Sequence, residues 1–148
     1  MQEINHKITG NKKLALKITL HCVAGCGAGD TLGLMIGTVL NWPVLPTMAL
    51  GIILGFLGGY GLTIMPLLKK GINFKNATRI AVVSDTISIT VMETAENITA
   101  LLIPGLLYAS FSAPIFWIGF AISAVAGFVA AYPVNYYLLV KRGHIHQH

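Results

Sequence analysis

Four stretches of mainly apolar residues follow one another along the chain, with short connections between them. They cover residues 18–40, 44–68, 77–103 and 114–140. A membrane-spanning helix needs about 20 consecutive, mainly apolar residues. The pattern therefore predicts an all-α polytopic membrane protein with four transmembrane helices, preceded by a polar segment at residues 1–17 and followed by a short tail at residues 141–148.

Acidic side chains interrupt the third stretch. Asp85, Glu93 and Glu96 lie between its apolar residues, and Asn97 follows them. At about 100° per residue, Asp85, Met92 and Glu96 fall on one narrow stripe of the helix. An ionised side chain near the centre of a spanning helix costs roughly 2.5 to 3.5 kcal/mol in insertion experiments. We therefore expect the stripe to face the bundle interior, where it meets the sulfur atoms of the first helix.

Glycine recurs at every fourth position in the first two stretches, as Gly25, Gly29, Gly33 and Gly37 and as Gly51, Gly55 and Gly59. Such small-residue faces let two helices approach closely, so we expect the first two helices to pack together. In the fourth stretch, Pro133 should free one backbone carbonyl, and Asn135 is predicted to satisfy that carbonyl rather than reach the acidic stripe.

The distribution of charge predicts the topology. Hydrophobic residues make up 55% of the chain and charged residues 10%. All Lys and Arg residues lie before the first stretch, between the end of the second stretch and Arg79 at the start of the third, or after the fourth, whereas the connections around residues 41–46 and 108–114 carry no charge. By the positive-inside rule, both termini and the middle loop are cytoplasmic, in a multi-pass protein of the cell's inner membrane.

Several functions are disfavoured by what the chain contains. Its basic residues fit anionic lipid headgroups, and no segment combines them with a soluble nucleic-acid-binding fold, so we expect the lipid bilayer as partner and no nucleic acid. No nucleophile–base pair or phosphate-binding loop occurs, and we expect no enzyme. Residues 23–26 resemble a lipoprotein cleavage box, but Lys17, His21 and Cys22 interrupt the apolar segment that cleavage requires, so we expect none.

The two cysteines suggest a soft metal site. Cys22 and Cys26 are one helical turn apart, so both thiols can meet one ion, with His21 or Met92 as a third ligand and Glu93 beside them. Thiolate and thioether ligands favour Cu(I). The alternative is that both cysteines are small apolar filler.

The acids suggest a path through the membrane. Counting from the basic ends at about 1.5 Å per residue, Asp85 lies in the cytoplasmic half and Glu96 with Asn97 toward the outside. Asp30 lies near the middle with Met92 and Glu93, so the acids are predicted to be spread in depth, as an ion or proton relay would be. Alternatively, they only hold the four helices in register through hydrogen bonds.

Two further possibilities stay open at this point. The tail histidines, His144, His146 and His148, either collect metal on the cytoplasmic side or form a solvated end. A thiol-redox membrane enzyme is the least favoured function, because a cysteine pair one turn apart inside a helix has poor disulfide geometry.

The order and spacing of these motifs resemble the small prokaryotic membrane proteins grouped as domain of unknown function 4396. The resemblance is carried by His21-Cys22-x3-Cys26-Gly27-x2-Asp30, Asp85-Thr86-x-Ser88-Ile89-x2-Met92-Glu93-x3-Asn97, Pro104-Gly105, Phe116-Trp117, Pro133-Val134-Asn135 and Arg142-Gly143-His144. It implies a four-span domain and an association with heavy-metal transport partners. Together these observations predict a homo-oligomeric membrane protein that binds or transports a transition-metal ion, Cu(I) first. The main alternative is a non-catalytic assembly partner whose buried polar residues fix helix packing.

Overall fold

The chain folds into four long helices joined by short connections. The computed structural model describes the backbone of residues 2–145 and the side chains of residues 12–141. The helices are α1 (Gln2–Val39), α2 (Val44–Lys69), α3 (Phe74–Leu102) and α4 (Pro114–Ile145), and a 3₁₀ turn, Leu106–Tyr108, lies between α3 and α4. The predicted all-α class is confirmed.

The helix ends follow from local chemistry. Asn73 caps α3, since its side-chain oxygen accepts the backbone N–H of Asn76 at 2.9 Å. Gly71, just after α2, and Gly105, just after α3, have φ angles of 84° and 79°, which glycine adopts without steric cost. Helix α4 continues through Pro133.

The helices form a bundle in which each one packs against its neighbours in chain order. Helix α1 packs most extensively on α2, α3 packs on α4, and α1–α4 and α2–α3 contacts close the ring. Consequently α1 and α3 face each other diagonally across the centre, and the side chains that they direct inward meet there.

The predicted close packing of the first two helices is confirmed. A Cβ atom added to Gly29 would collide with the backbone of Leu54 and Gly55, and one added to Gly25 would lie 2.8 Å from the carbonyl oxygen of Gly58. These backbones can approach so closely only because neither side chain intervenes.

The surface of the bundle is apolar. Large hydrophobic side chains are exposed on every helix, for example Leu45, Val83 and Val129 at 78%, 65% and 64%. Within the described residues, three helical segments are long and apolar enough to cross a membrane, namely Lys12–Val39, Val44–Lys69 and Pro114–Lys141. These features indicate a membrane protein in a lipid bilayer.

Candidate functional site

Helix α3 turns its acids inward. Its buried residues follow a helical period and lie on one face: Ala77, Ala81, Asp85, Ser88, Ile89, Met92, Glu93 and Glu96. The opposite face exposes apolar residues such as Val83, Ile87 and Leu101. The prediction that the stripe of Asp85, Met92 and Glu96 faces the bundle interior is confirmed.

Three carboxylates meet at the centre of the bundle. Asp30 of α1 and Glu93 and Glu96 of α3 each offer an oxygen, and these three atoms lie within 4.8 Å of one another. Glu93 and Glu96 are buried, with 4% and 8% exposure, and Asp30 is half-buried. We call these three residues the carboxylate cluster.

The cluster corrects one expectation drawn from the sequence. Glu96 is predicted to lie nearer the outside than Asp30 and Glu93, but it lies one turn from Glu93 on the same face, and the long side chains of both reach Asp30. Asp85 alone lies apart, two helical turns before Glu93. Three of the four acids therefore form one site.

Glycines on the two flanking helices make room for the carboxylates. A Cβ atom on Gly55 of α2 would collide with Glu93 Oε1 and lie 3.1 Å from Asp30 Oδ1. On α4, a Cβ atom on Gly127 would lie 2.5 Å from both Cγ and Oε1 of Glu96. All four helices thus contribute to the site, since α1 and α3 supply the acids and α2 and α4 supply the space.

The role of Gly127 was missed from the sequence, although a signal for it exists. Gly119, Ser123, Gly127, Ala131 and Asn135 recur at every fourth position and are all buried. They give α4 a small-residue face like those of the first two helices. Gly55 was predicted only as a packing residue, and its contact with two carboxylates is an additional role.

Few hydrogen bonds satisfy the carboxylates. Asn97 Nδ2 donates to the Glu93 backbone carbonyl at 2.8 Å and lies 3.5 Å from Glu93 Oε2. Glu93 Oε1 is buried without a hydrogen-bond partner. Apart from the weak thiol donor of Cys26 beside Glu93, no described side chain on another helix donates a hydrogen bond to the cluster.

The hydroxyl groups on the helices mostly bond to their own backbone. Eight threonines, for example Thr31, Thr90 and Thr99, donate to the carbonyl four residues earlier. Among the described side chains, Tyr60–Thr86 and Asn135–Thr19 form hydrogen bonds between helices, and neither pair includes an acid. The predicted local role of Asn135 is wrong, because its amide instead donates to Thr19 of α1 at 2.9 Å.

The cysteines lie in a buried cluster just beside the carboxylates. Cys22, Cys26, Ile89, Met92 and Ala131 pack together, and both thiols are free. Cys26 lies near Glu93, and Cys22 lies near Asp85. The expectation that the acids of α3 meet the sulfur atoms of α1 is confirmed.

The structure does not bring every predicted ligand to this place. His21 is exposed on the outer face of α1, with Nδ1 3.0 Å from the Lys17 carbonyl oxygen, so it is not beside the buried sulfur atoms. Its role as a ligand stays a prediction. His146 and His148 lie outside the described residues, and the side chain of His144 is not among those described.

Asp85 occupies a second polar position. Ser84 Oγ donates to its Oδ1 at 2.5 Å, while Asp85 Oδ2 and the hydroxyl of Ser88 are buried without partners. The buried polar groups thus continue from the carboxylate cluster past the cysteines to Asp85.

A cavity of about 140 Å³ leads to the carboxylate cluster. Its polar wall consists of Asp30, Glu96, Asn97 and Ser123, and Glu93 does not line it. The remaining wall is mainly apolar, with Leu34, Met48, Leu106, Leu107, Phe116 and Phe120. The cavity therefore reaches two of the three carboxylates from the end of the bundle that carries the α3–α4 connection.

Comparison with known proteins identifies one family. Residues 12–144 match the family model described as Domain of unknown function (DUF4396). Neither the curated proteins nor the solved structures compared with the chain gave a match.

Proposed function

The chain belongs to the family of domain of unknown function DUF4396, and from its buried carboxylates we propose that it binds a metal cation inside the membrane and carries it across. The observation that carries the proposal is the convergence of Asp30, Glu93 and Glu96 within 4.8 Å. A buried carboxylate without a partner is costly, so it requires a counter-charge or a proton. No Lys or Arg occurs in residues 18–68 or 80–140, from which the cluster is built.

The donor atoms favour a divalent ion over Cu(I). Three oxygens surround the centre of the cluster, and carboxylate oxygens prefer harder or borderline cations such as Mn²⁺ or Zn²⁺. Cys26 beside Glu93 adds one sulfur, which suits Zn²⁺ better than Mg²⁺ or Ca²⁺.

Cu(I), the ion predicted from the sequence, is the second candidate. The buried group of Cys22, Cys26 and Met92 supports it, because all three provide soft sulfur ligands. This ion would lie next to the carboxylate cluster, which would then carry exchanged protons. For either ion, Asp85 would be the next binding position on the path. That path leads toward the end of the bundle that carries the basic α2–α3 connection.

The topology is part of the proposal. We place α3 across the membrane as the fourth span, since its acids are sheltered and its outer face is apolar. Both termini are then cytoplasmic and the cavity opens on the outer side of the inner membrane, in keeping with the position of the basic residues. A homo-oligomer and a heavy-metal transport partner remain expectations.

The alternative of a non-catalytic assembly partner has less support. Acids that fix helix pairing would accept hydrogen bonds from neighbouring helices. Among the described side chains, the cluster has only the weak thiol of Cys26 in that position.

The test is metal binding by the purified protein in lipid nanodiscs. After loading with Zn²⁺, Mn²⁺ or Cu(I), mass spectrometry of bound metal should find one divalent ion per chain. Asp30→Asn and Glu93→Gln should each weaken that binding at least tenfold, because each removes one charged oxygen ligand. Asp85→Asn is the matched control, because Asp85 lies outside the cluster and this variant should still bind one ion at the cluster.

Circular dichroism of each variant measures its helical content and so separates loss of metal binding from unfolding. Absence of metal at every loading concentration in a fully helical protein would overturn the proposal. The assembly role is correct instead if Glu96→Gln unfolds the bundle and none of the acid variants changes the amount of bound metal. Loss of Cu(I) alone in Cys22→Ala/Cys26→Ala would identify the sulfur group as the copper site.

A further inference from the structure

The wall of the cavity in front of the carboxylate cluster fits a cation with a hydrocarbon part better than a fully hydrated metal ion. A hydrated ion needs polar groups around its water shell, but Leu34, Phe116 and Phe120 and most other lining residues are apolar. The polar lining residues are Asp30, Glu96, Asn97 and Ser123. Asp30 and Glu96 meet in the carboxylate cluster, and Ser123 lies one helical turn before Gly127, which faces Glu96. The cavity thus has an apolar body and an anionic end.

Ser123 gives an independent sign that a ligand belongs at this end. Its side chain is buried, with 7% exposure, and its hydroxyl oxygen has no hydrogen-bond partner. Most helical hydroxyls in this chain donate to a carbonyl one turn earlier, and Ser123 does not. Since Ser123 also lines the cavity, a group with N–H donors at this place would satisfy it.

From this arrangement we infer that the cavity binds a small organic ammonium ion, with its nitrogen at Asp30 and Glu96 and its hydrocarbon part against the apolar wall. A primary ammonium has three N–H donors, which Asp30, Glu96 and the Ser123 hydroxyl can accept together. A neutral lipid chain fits less well, because it would leave Asp30 and Glu96 without a counter-charge.

The volume limits the size of this ligand. The cavity measures about 140 Å³, and an engineered protein cavity of about 150 Å³ holds benzene. A ligand of roughly six non-hydrogen atoms therefore fits, which makes butylammonium a suitable probe.

The inference shares Asp30 and Glu96 with the proposed metal site, but it does not require that a metal binds. Glu93 belongs to the carboxylate cluster and does not line the cavity. Ala124 lines the cavity and is not part of the cluster. These two residues therefore allow the two ligands to be separated by substitution.

Equilibrium dialysis of radiolabelled butylammonium against the protein in nanodiscs tests the inference, with Zn²⁺ binding measured on the same samples. We expect saturable binding of one amine per chain and mutual competition with Zn²⁺. Ala124→Leu fills the cavity and should weaken butylammonium at least tenfold while Zn²⁺ binding stays within threefold. Glu93→Gln should weaken Zn²⁺ binding at least tenfold while butylammonium binding stays within threefold.

Butanol is the matched neutral ligand, and it should bind at least tenfold more weakly than butylammonium. The inference is overturned if butylammonium does not bind a sample that retains its helical content, if Ala124→Leu leaves its binding unchanged, or if butanol binds equally well. Amine binding without Zn²⁺ binding would contradict the proposed metal function alone, and Zn²⁺ binding without amine binding would contradict this inference alone.

Discussion

At the scale of single residues, glycines determine where the carboxylates can lie. Gly55 and Gly127 are separated by about half of the chain, yet each faces one part of the carboxylate cluster. A methyl group at either position would occupy the space of a carboxylate oxygen. Such glycines are usually attributed to helix packing, but here the close neighbour is an acidic side chain.

The first prediction at this scale concerns Gly127→Ala. The added Cβ atom would strike the flexible end of Glu96 rather than backbone, so the side chain can move and the helices can stay in place. We expect at least tenfold weaker metal binding in nanodiscs, with thermal stability nearly unchanged. Alanine also favours a helix over glycine by about 0.5–1 kcal/mol, which offsets part of any strain.

Gly61→Ala is the matched control for that substitution, because a Cβ atom at Gly61 has no other atom within 4 Å. It should keep full metal binding and equal or slightly higher stability. If Gly127→Ala bound metal as tightly as Gly61→Ala, Glu96 would not be a ligand.

At the scale of elements, the bundle depends on how closely α1 and α2 approach. Their glycines place backbone against backbone at Gly25–Gly58, Gly29–Leu54 and Gly33–Gly51. This approach also fixes the rotation of α1, which directs Asp30 toward the centre and leaves His21 on the surface. Helix packing therefore decides which of the polar residues of α1 reach the site.

The prediction at this scale is that Gly29→Ala destabilises the bundle. Its Cβ atom would meet the backbone of Leu54, which cannot rotate away, so the helices must separate. Overpacking of this kind costs roughly 1–3 kcal/mol, and the displaced α1 should also weaken metal binding. Thermal unfolding in detergent, followed by circular dichroism, measures the change.

Gly27→Ala provides the control on the same helix. A Cβ atom there would lie 3.6 Å from Phe120, an ordinary van der Waals contact. We expect its midpoint temperature to match that of the unchanged protein. Equal stability of the Gly29→Ala and Gly27→Ala variants would contradict the assigned role of the glycine face.

At the scale of the whole molecule, the four helices form a bundle with an apolar surface and an acidic centre. Apolar side chains cover the outside of every helix, while the carboxylates, thiols and unpaired hydroxyls lie within. Three helices are apolar enough to span a membrane by themselves. Helix α3 is not, and its acids are sheltered only because the other three helices surround them.

The prediction at this scale concerns orientation. In a background without Cys22 and Cys26, Tyr108→Cys places one thiol on the exposed α3–α4 connection, where Tyr108 is 84% exposed. Lys70→Cys places one in the basic α2–α3 connection. A membrane-impermeant maleimide added to intact spheroplasts should label only Tyr108→Cys. Labelling of Lys70→Cys instead would reverse the proposed topology.

Local chemistry in the sequence determined the class of the protein and much of its outline. Hydrophobic length specifies four helices, and the acids of α3 must face inward because lipid cannot solvate them. The helical period alone places Asp85, Met92 and Glu96 on one face. Family membership also followed from motif order, as the match over residues 12–144 confirms.

Only the tertiary structure decided which side chains from different helices meet. It brought Asp30 to Glu93 and Glu96, joined Asn135 to Thr19, and set Gly127 against Glu96. A period specifies the face of one helix, but the rotation and neighbours of that helix depend on the packing of all four. The carboxylate cluster is a product of that packing, which is why the sequence predicted its members and the shared depth of Asp30 and Glu93, but not that Glu96 joins them.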